Sequence, residues 1–411
     1  MKNSLHGASQ PSFDPRRTAH RRPGLDLLRA MAIVFVVVYH AGLFGFVLPF
    51  QIQRFGWIGV DLFFVLSGYL IAGQLLSALA RGKSLNIPRF YARRALRILP
   101  AYFAIVAIYF FLPPMAREYE RMPPVWKFLT FTQNLGLRGG TAFSHAWSLC
   151  IEFQFYLLLP LLILVLSRWS GRGGGKSRFT SITMVVIPCA VLWWCVFIRG
   201  ALSHMNLSLP APSFGWWQQW IYYPTYSRLD ALTIGVSLAA IESFRPAWWS
   251  ALSKTATWIW LPGISAIALA LVLAEKDGLS IISSALGFFL VALGCGTFLV
   301  CGVSPYLPLS RVAFPGAAFL ATMAYSLYLS HKLAIHGVEI FCGVHAIGIE
   351  TMKAYVVMIA AILVLGSALF FAVERPFLRI REERSRSARA PRLSNSESRS
   401  EQSTQHSPPN S

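Results

Sequence analysis

Charged side chains are scarce in this chain of 411 residues: Asp, Glu, Lys and Arg together make up 13%, while hydrophobic residues make up 55%. A typical soluble domain carries about 25% charged residues. The acidic residues are the rarer sign, with 17 against 37 basic residues, which gives a formal net charge of +20. This shortage of charge excludes an ordinary soluble globular protein. Together with a mean hydropathy of +0.52, it indicates a membrane protein with several spans.

Cysteine is also sparse, with six in the chain, and no two of them form a CxxC pair. Nearly all of them fall in or beside apolar segments. Such cysteines are interpreted as free, buried thiols rather than as a disulfide framework or a metal site. We therefore predict no bound metal. We also expect no permanently bound cofactor.

The excess of basic residues could indicate nucleic-acid binding, but these residues lie mainly between the apolar blocks. They concentrate in the N-terminal tail, in the connections 79–94 and 168–180, and after residue 373. Connections rich in Lys and Arg usually remain on the cytoplasmic side of a membrane. This pattern predicts that both termini are cytoplasmic, in a multi-pass protein of the cell inner (cytoplasmic) membrane, without a nucleic-acid partner.

Apolar blocks close to the roughly 20 residues that cross a bilayer recur along most of the chain. They predict an all-α, polytopic bundle of about ten transmembrane helices, at 25–48, 56–78, 96–112, 147–167, 181–199, 229–243, 255–274, 281–302, 314–331 and 354–373. The domains that follow are a cytoplasmic tail (1–23), a membrane domain (24–377) and a disordered, basic C-terminal tail (378–411). The first apolar run is too long for a cleaved signal peptide, so we expect a signal anchor.

The first predicted span carries two ionisable residues, Arg29 and His40. Eleven positions of an α-helix turn through about 1100°, so both side chains face nearly the same way, and they lie about 16 Å apart along the axis. Ionisable groups at such depth usually face a cavity or a partner. The alternatives are that Arg29 extends to the headgroups and that His40 makes a structural hydrogen bond between helices.

Two other spans place a carboxylate at a depth similar to that of His40. Asp61 lies in GVDLFFVLSGYLI and Glu152 in HAWSLCIEFQFYLLLP, each about five residues from the outer end of its span. A carboxylate beside an imidazole fixes its tautomer and stabilises the imidazolium, as a general base requires. We therefore predict His40, Asp61 and Glu152 as catalytic residues.

At the inner side, FYARRALRILP (90–100) places Arg93, Arg94 and Arg97 at the start of the third span. Arg94 and Arg97 are i,i+3 neighbours on one helix face. With Arg29 they could form a pocket for phosphates, which guanidinium groups bind in a bidentate manner. The usual enrichment of basic residues at the cytoplasmic end of a membrane helix is enough to explain the presence of Arg93 and Arg94. It explains Arg97 less well, because apolar residues follow Arg97 directly.

The chain resembles the acyltransferase 3 family of integral-membrane O-acyltransferases. The residues that carry the resemblance run in family order: Arg29–x10–His40, GVDLFFVLSGYLI, RRALRILP, HAWSLCIEFQFYLLLP, YSRLDALTIG (226–235), YSLYLSH (325–331) and ERPF (374–377). Each motif is weak alone, but seven in this order are strong evidence. The resemblance extends from about Pro23 to Phe377.

The resemblance implies an acyl-CoA donor, usually acetyl-CoA, that enters from the cytoplasm, and a hydroxyl acceptor on a cell-surface or lipid-linked glycan or a glycosylated metabolite. It implies an essential role for Arg29 and His40 and points to Arg94 and Arg97 as ligands of the CoA phosphates. One departure is Phe153, where the family often has an acidic residue. Glu152 is therefore taken as the equivalent carboxylate.

The expected reaction is direct transfer, in which His40 removes the proton of the acceptor hydroxyl and the alkoxide attacks the thioester. Transfer through a covalent acyl-histidine is left open as a variant. The CoA nucleotide would stay near Arg29 while its pantetheine arm reaches His40, because moving so many charges through hydrocarbon is costly.

Other polar residues have two interpretations. Arg228, Asp230 and His331 are candidates for substrate binding in an acceptor cleft, while Arg228 and Asp230 could equally form a structural ion pair between helices. The remaining outer histidines, His145, His204, His336 and His345, are placed at the outer surface, with no spacing that indicates a metal site.

The competing class of function is a glycan or lipid transporter or flippase, in which buried charges mark a translocation path. The arginine cluster and its fixed separation from the histidine favour the enzyme, because a transporter does not require them. The sequence leaves open the acceptor, the acyl chain and the oligomeric state.

Overall fold

The computed structural model describes residues 22–171, 180 and 182–387, and within these ranges the chain is helical and has no β-strand. The predicted all-α fold is confirmed. The helices are α1 Pro23–Leu43, α2 Ile58–Ala80, α3 Ile87–Phe111, α4 Val125–Leu129, α5 Trp147–Gly171, α6 Ile187–Leu207, α7 Phe214–Trp217, α8 Asp230–Phe244, α9 Pro246–Lys254, α10 Ala256–Asp277, α11 Ile281–Val303, α12 Ala317–Val344, α13 Met352–Leu369 and α14 Arg375–Ser387.

Eight helical segments in the described part of the chain are long and apolar enough to cross a membrane. They are Pro23–Leu43, Ile58–Ala80, Ile87–Phe111, Ser144–Trp169, Ile182–Leu207, Ala256–Asp277, Ile281–Val303 and Met352–Arg384. The other two predicted spans fall on α8, which has only 15 residues, and on α12, which includes Lys332 and Glu339 among its 28. The count of ten and the cytoplasmic location of both termini therefore stay predictions.

The predicted tails lie mostly outside the described residues. This holds for residues 1–21 of the N-terminal tail, for 172–179 of the basic connection and for 388–411 of the C-terminal tail. Residues 378–387, which were predicted to be disordered, continue helix α14 as far as Ser387. The charged sequence there is helical because it directly extends the last apolar helix.

Glycines allow α2 and α8 to approach closely in the centre of the bundle. A Cβ atom added at Gly68 would lie 2.2 Å from the carbonyl oxygen of Leu232, and one at Gly235 would lie 2.2 Å from that of Val65. Small residues at such positions let membrane helices pack backbone against backbone. Gly68 is therefore a packing residue of α2.

Helix α1 packs between α2, α11 and α12. Its buried face includes Leu28, Ala32 and Val36, which follow the i, i+4, i+8 spacing of one helix face. His40 lies one turn beyond Val36 on that face and is half-buried. The contact between α1 and α12 therefore brings His40 towards His331, which is buried in the middle of α12.

The connection between α3 and α5 folds back onto the helix bundle. Its aromatic side chains Phe128, Phe131 and Phe143 are fully buried and pack together with Tyr102 of α3. The backbone N–H of Phe143 donates to the carboxylate of Glu118 at 2.9 Å. This packing fixes the residues immediately before α5.

Helix α3 begins nine residues before the predicted span, at Ile87. The side chain of Asn86 accepts a hydrogen bond from the backbone N–H of Arg89 at 2.9 Å, and Pro88 follows in the first turn. Both are favoured at helix N-termini. The early start places Arg94 and Arg97 within regular helix, with their side chains on one face.

Candidate active site

Three histidines from distant parts of the chain meet between α1, α12 and the start of α5. Nδ1 of His40 lies 3.1 Å from Nε2 of His331. The ring centroids are 4.8 Å apart for His40 and His331, 4.9 Å for His145 and His331, and 6.0 Å for His40 and His145. Among the described residues, no group of three or more His, Cys, Asp or Glu side chains is arranged to hold a metal ion.

Backbone carbonyls determine which ring nitrogens of this pair carry protons. Nδ1 of His331 lies 2.8 Å from the carbonyl oxygen of Tyr328, which can only accept, so this nitrogen is protonated and Nε2 of the same ring is an acceptor. Nδ1 of His40 lies 2.9 Å from the carbonyl oxygen of Val36 and faces that acceptor nitrogen of His331. His40 therefore carries its proton on Nδ1, which leaves Nε2 as the nitrogen that can take a proton.

His145 was expected at the outer surface, and this prediction is wrong: its side chain is buried, with only 2% of the residue exposed. The reason is the packing of the segment between α3 and α5, which covers the histidine. Its Nε2 lies 3.3 Å from the carbonyl oxygen of Leu329, while Nδ1 has no hydrogen-bond partner among the described residues. Sequence reasoning missed this residue, since it lies just before the apolar run of α5.

A buried ion pair holds this segment against α12. Nζ of Lys332 lies 3.4 Å from Oε1 of Glu118 and donates to Oγ of Ser144 at 3.2 Å. Both charged side chains are nearly inaccessible, at 3% and 0% exposure. Because Ser144 precedes His145 directly, this pair fixes the position of His145 beside His331.

A cavity of about 160 Å³ lies on the other side of Tyr328 and contains the predicted phosphate ligands. Its polar lining includes Arg29, Arg94 and Arg97 together with Glu152. We call it the arginine cavity. Three guanidinium groups around one carboxylate make it a site suited to an anion, since arginine binds phosphate with paired hydrogen bonds.

Glu152 lies within the arginine cavity and not beside His40. Its carboxylate accepts hydrogen bonds from the hydroxyls of Ser67 and Tyr156. Arg94 donates to the side chain of Gln74 at 3.1 Å, and its guanidinium lies 5.6 Å from the ring centroid of Tyr156. The structure therefore joins Glu152 to the predicted cofactor-binding arginines, which the sequence had assigned to the opposite leaflet.

Tyr328 connects the arginine cavity to the histidines. Its side chain lines the cavity, and its ring centroid is 5.7 Å from those of both His145 and His331. Its hydroxyl lies 2.5 Å from Oγ of Ser148 and 2.7 Å from the carbonyl oxygen of His145. A chain-like ligand that fills the cavity would thus end against the wall formed by Tyr328, one residue layer from the histidines.

Asp61, Arg228, Asp230 and Arg199 form a separate network of two fully buried ion pairs. Nη2 of Arg228 donates to both oxygens of Asp61 at 2.9 and 3.0 Å. Asp230 pairs with Arg199 rather than with Arg228, at 2.9 Å. The guanidinium of Arg228 also lies 3.6 Å from the ring centroid of Phe288. This network joins α2, α6 and α8, so Asp61 contacts Arg228 where the sequence had predicted a contact with His40.

Residues 22–373 match the acyltransferase domain family known as acyltransferase 3. The peptidoglycan O-acetyltransferase OatA of Listeria monocytogenes is 36% identical over 163 residues, which cover 36% of this chain and 25% of that protein. The O-acetyltransferase OatA of Staphylococcus aureus is 31% identical over 233 residues, 53% of this chain and 34% of that protein.

A third relative is the putative peptidoglycan O-acetyltransferase YrhL of Bacillus subtilis, which is 30% identical over 243 residues, 55% of this chain and 34% of that protein. The matched part covers about a quarter to a third of the length of these relatives. No solved structure matches the chain. The match over residues 22–373 covers most of the sequence and includes the histidines and the arginine cavity. The chain therefore belongs to the acyltransferase 3 family.

Proposed function

We propose that this protein is a membrane O-acetyltransferase, which moves an acetyl group from acetyl-CoA to a hydroxyl of a cell-wall or other cell-surface glycan. The names of the relatives support the acetyl group and the glycan acceptor, since two of the three are described as peptidoglycan O-acetyltransferases. The donor is inferred from the chemistry of the arginine cavity. Its three guanidinium groups match the phosphates of a nucleotide thioester.

The observation that carries the proposal is that one tyrosine, Tyr328, touches both the arginine cavity and the histidine cluster. A donor whose phosphates bind Arg29, Arg94 and Arg97 would direct its pantetheine arm along the cavity to this tyrosine. His40 lies about 16 Å from Arg29 along the axis of α1. This separation suits a donor with its charge at one end and its reactive thioester at the other.

In the proposed reaction His40 acts as the general base. Its Nε2 takes the proton of the acceptor hydroxyl while the hydroxyl oxygen forms a bond to the thioester carbonyl carbon. The tetrahedral intermediate collapses, the carbon–sulfur bond breaks, and the leaving thiolate takes the proton from the imidazolium. The products are the acetyl ester and free CoA. His331 accepts a hydrogen bond from Nδ1 of His40 and so keeps Nε2 directed to the acceptor.

The proposal includes an orientation in the membrane. The arginine cavity would face the cytoplasm, where acyl-CoA is present, and the histidines would lie closer to the outer leaflet of the inner membrane. The bias of basic residues towards 79–94 and the segment after 373 supports this orientation. Both termini would then be cytoplasmic.

The test is the release of free CoA thiol from acetyl-CoA by membranes that contain the protein, with a glycan acceptor supplied. Replacing Arg97 by glutamine is expected to raise KM for acetyl-CoA by at least about tenfold, since hydrogen bonds to a charged group are worth about 1.5–3 kcal/mol. The acceptor KM should not change.

The matched control is Arg93→Gln, because Arg93 is exposed and does not line the arginine cavity. If membranes with the wild-type protein release no thiol, acetyl-CoA is not the donor. A transporter would give this result. If Arg97→Gln and Arg93→Gln have the same KM for acetyl-CoA, the arginine cavity is not the binding site of acetyl-CoA.

A further inference from the structure

A second, larger cavity adjoins the arginine cavity on the side away from the histidines. It has a volume of about 740 Å³ and lies between the first turns of α1, the last turns of α2 and the end of α8. Both cavities are lined by Arg29, Leu70 and Gln74. A ligand held at Arg29 can therefore extend into both. We call the larger one the mouth cavity.

The lining of the mouth cavity is strongly polar. It carries the guanidinium groups of Arg22, Arg29 and Arg81 and the carboxylates of Asp26 and Glu242. Asp26 and Arg29 lie 3.6 Å apart as an i,i+3 ion pair of α1. The three guanidinium groups and two carboxylates give the lining one positive charge in excess. The cavity therefore suits a ligand that carries both phosphate groups and hydrogen-bond donors.

A tyrosine organises the mouth cavity. Nη1 of Arg22 donates to the hydroxyl of Tyr69 at 2.9 Å, and this hydroxyl donates to Oε2 of Glu242 at 2.5 Å. Nη2 of Arg22 lies 3.5 Å from Oε1 of the same carboxylate. The ring of Tyr69 stacks on Trp249, with 6.3 Å between centroids and 21° between planes. Arg22 is thereby held over the cavity while half of its side chain stays exposed.

We infer that the mouth cavity binds the nucleotide end of the acyl-CoA donor, and that Arg22 and Arg81 bind its 3′-phosphate. This inference rests on the proposed function. In CoA the pyrophosphate lies between the pantetheine arm and the adenosine, so a donor held at the arginine cavity must place these two parts in opposite directions. The pantetheine arm extends from the arginine cavity towards the histidines. The adenosine therefore extends the other way, into the mouth cavity.

The volumes of the two cavities support this placement of the nucleotide and the pantetheine arm. Small-molecule sites usually measure about 300–1,000 Å³, so the mouth cavity can hold a nucleotide, while the narrower arginine cavity of about 160 Å³ suits an extended chain. Arg22 and Arg81 are the two arginines of the mouth cavity that the arginine cavity does not share. They lie outside the arginine cavity, where the pyrophosphate is placed, and the exposed half of the Arg22 side chain can contact a further phosphate. Glu242 and Asp26 can accept hydrogen bonds from the ribose hydroxyls and the adenine amino group.

Phosphate in this cavity could also come from the headgroup of an anionic lipid, which offers the same chemistry. The experiment therefore compares CoA with dephospho-CoA, which lacks only the 3′-phosphate, as ligands of the whole 411-residue chain in nanodiscs. One set of nanodiscs contains only zwitterionic lipid, and the other contains a fraction of anionic lipid. Affinities are measured by isothermal titration calorimetry.

In zwitterionic nanodiscs the wild type is expected to bind CoA at least about tenfold more tightly than dephospho-CoA, because the lost contacts are charge-assisted. The double variant Arg22→Gln/Arg81→Gln should lose this preference, so that its affinity for CoA falls to its own affinity for dephospho-CoA. Retained binding of dephospho-CoA also shows that the variant is folded. The matched control is Arg245→Gln/Lys254→Gln, which removes two exposed positive charges outside the cavity.

A wild type that binds CoA and dephospho-CoA equally would overturn the inference and leave the proposed donor intact. A preference that the double variant retains would also overturn it. A difference between wild type and variant that appears only with anionic lipid would assign the cavity to a lipid headgroup instead. A wild type that binds neither ligand would refute the proposed donor itself.

Discussion

Replacing His40 by alanine is expected to lower the rate of acetyl transfer by about 10²–10⁴-fold, the usual contribution of a general base. The physical reason is the arrangement of its two ring nitrogens. Nδ1 is held by the carbonyl oxygen of Val36 and by Nε2 of His331, at 2.9 and 3.1 Å. Nε2 is then the acceptor for the proton of the substrate, and alanine offers no replacement.

The measurement is the rate of ester formation, followed as thiol release and as acetylated glycan by mass spectrometry, at equal amounts of membrane-inserted protein. His204→Ala is the matched control, because His204 is an exposed histidine near the end of α6. The variant His40→Ala should still bind CoA, since the arginine cavity does not include His40. Wild-type rates from His40→Ala would refute the proposed chemistry.

Replacing Asp61 by alanine is expected to destabilise the folded protein by about 3–5 kcal/mol, the usual cost of breaking a buried ion pair. The variant leaves Arg228 as an uncompensated charge that is fully buried. Nε and Nη1 of this guanidinium already have no hydrogen-bond partner among the described residues. Asp61→Ala would also remove the ion pair that holds α2 against the connection leading into α8.

This effect is measured as the midpoint of thermal unfolding in detergent. The control is Glu275→Ala, which breaks an exposed pair with Arg54 at 3.6 Å and should cost at most about 1 kcal/mol. The double variant Asp61→Leu/Arg228→Met should regain much of the stability, because it leaves no unpaired charge. An Asp61→Ala protein with wild-type stability but no activity would contradict the structural role and restore the catalytic one predicted from sequence.

The sequence predicted what depends on neighbours along one helix. The apolar runs located the eight helical segments of the described residues that are long and apolar enough to cross a membrane, and the helical period placed Arg29 and His40 on one face of α1. The same argument put Arg94 and Arg97 on one face of α3, where both line a common cavity with Arg29. These relations hold because an α-helix fixes the direction of each side chain from its position alone.

The sequence did not predict which distant side chains pair. Asp61 and Arg228 are 167 positions apart, and the choice between Arg228 and Arg199 as the partner of Asp230 depends on how three helices pack. Similar depth in the membrane therefore did not predict which residues are in contact. It grouped Asp61 with His40, although the two side chains face different neighbours. His145 was missed for a related reason, because it is buried when its own segment folds back onto the helix bundle.

In the proposed reaction one donor molecule extends from the arginine cavity to the histidine cluster, and a structure with a bound donor analogue would show whether it does. A suitable ligand is an acetyl-CoA analogue in which a methylene group replaces the thioester sulfur, so that no transfer can occur. We expect the pyrophosphate at Arg29, Arg94 and Arg97 and the acyl carbonyl next to Tyr328, within reach of His40. An analogue that binds outside the arginine cavity, or that places its acyl group far from His40, would refute the proposed donor site.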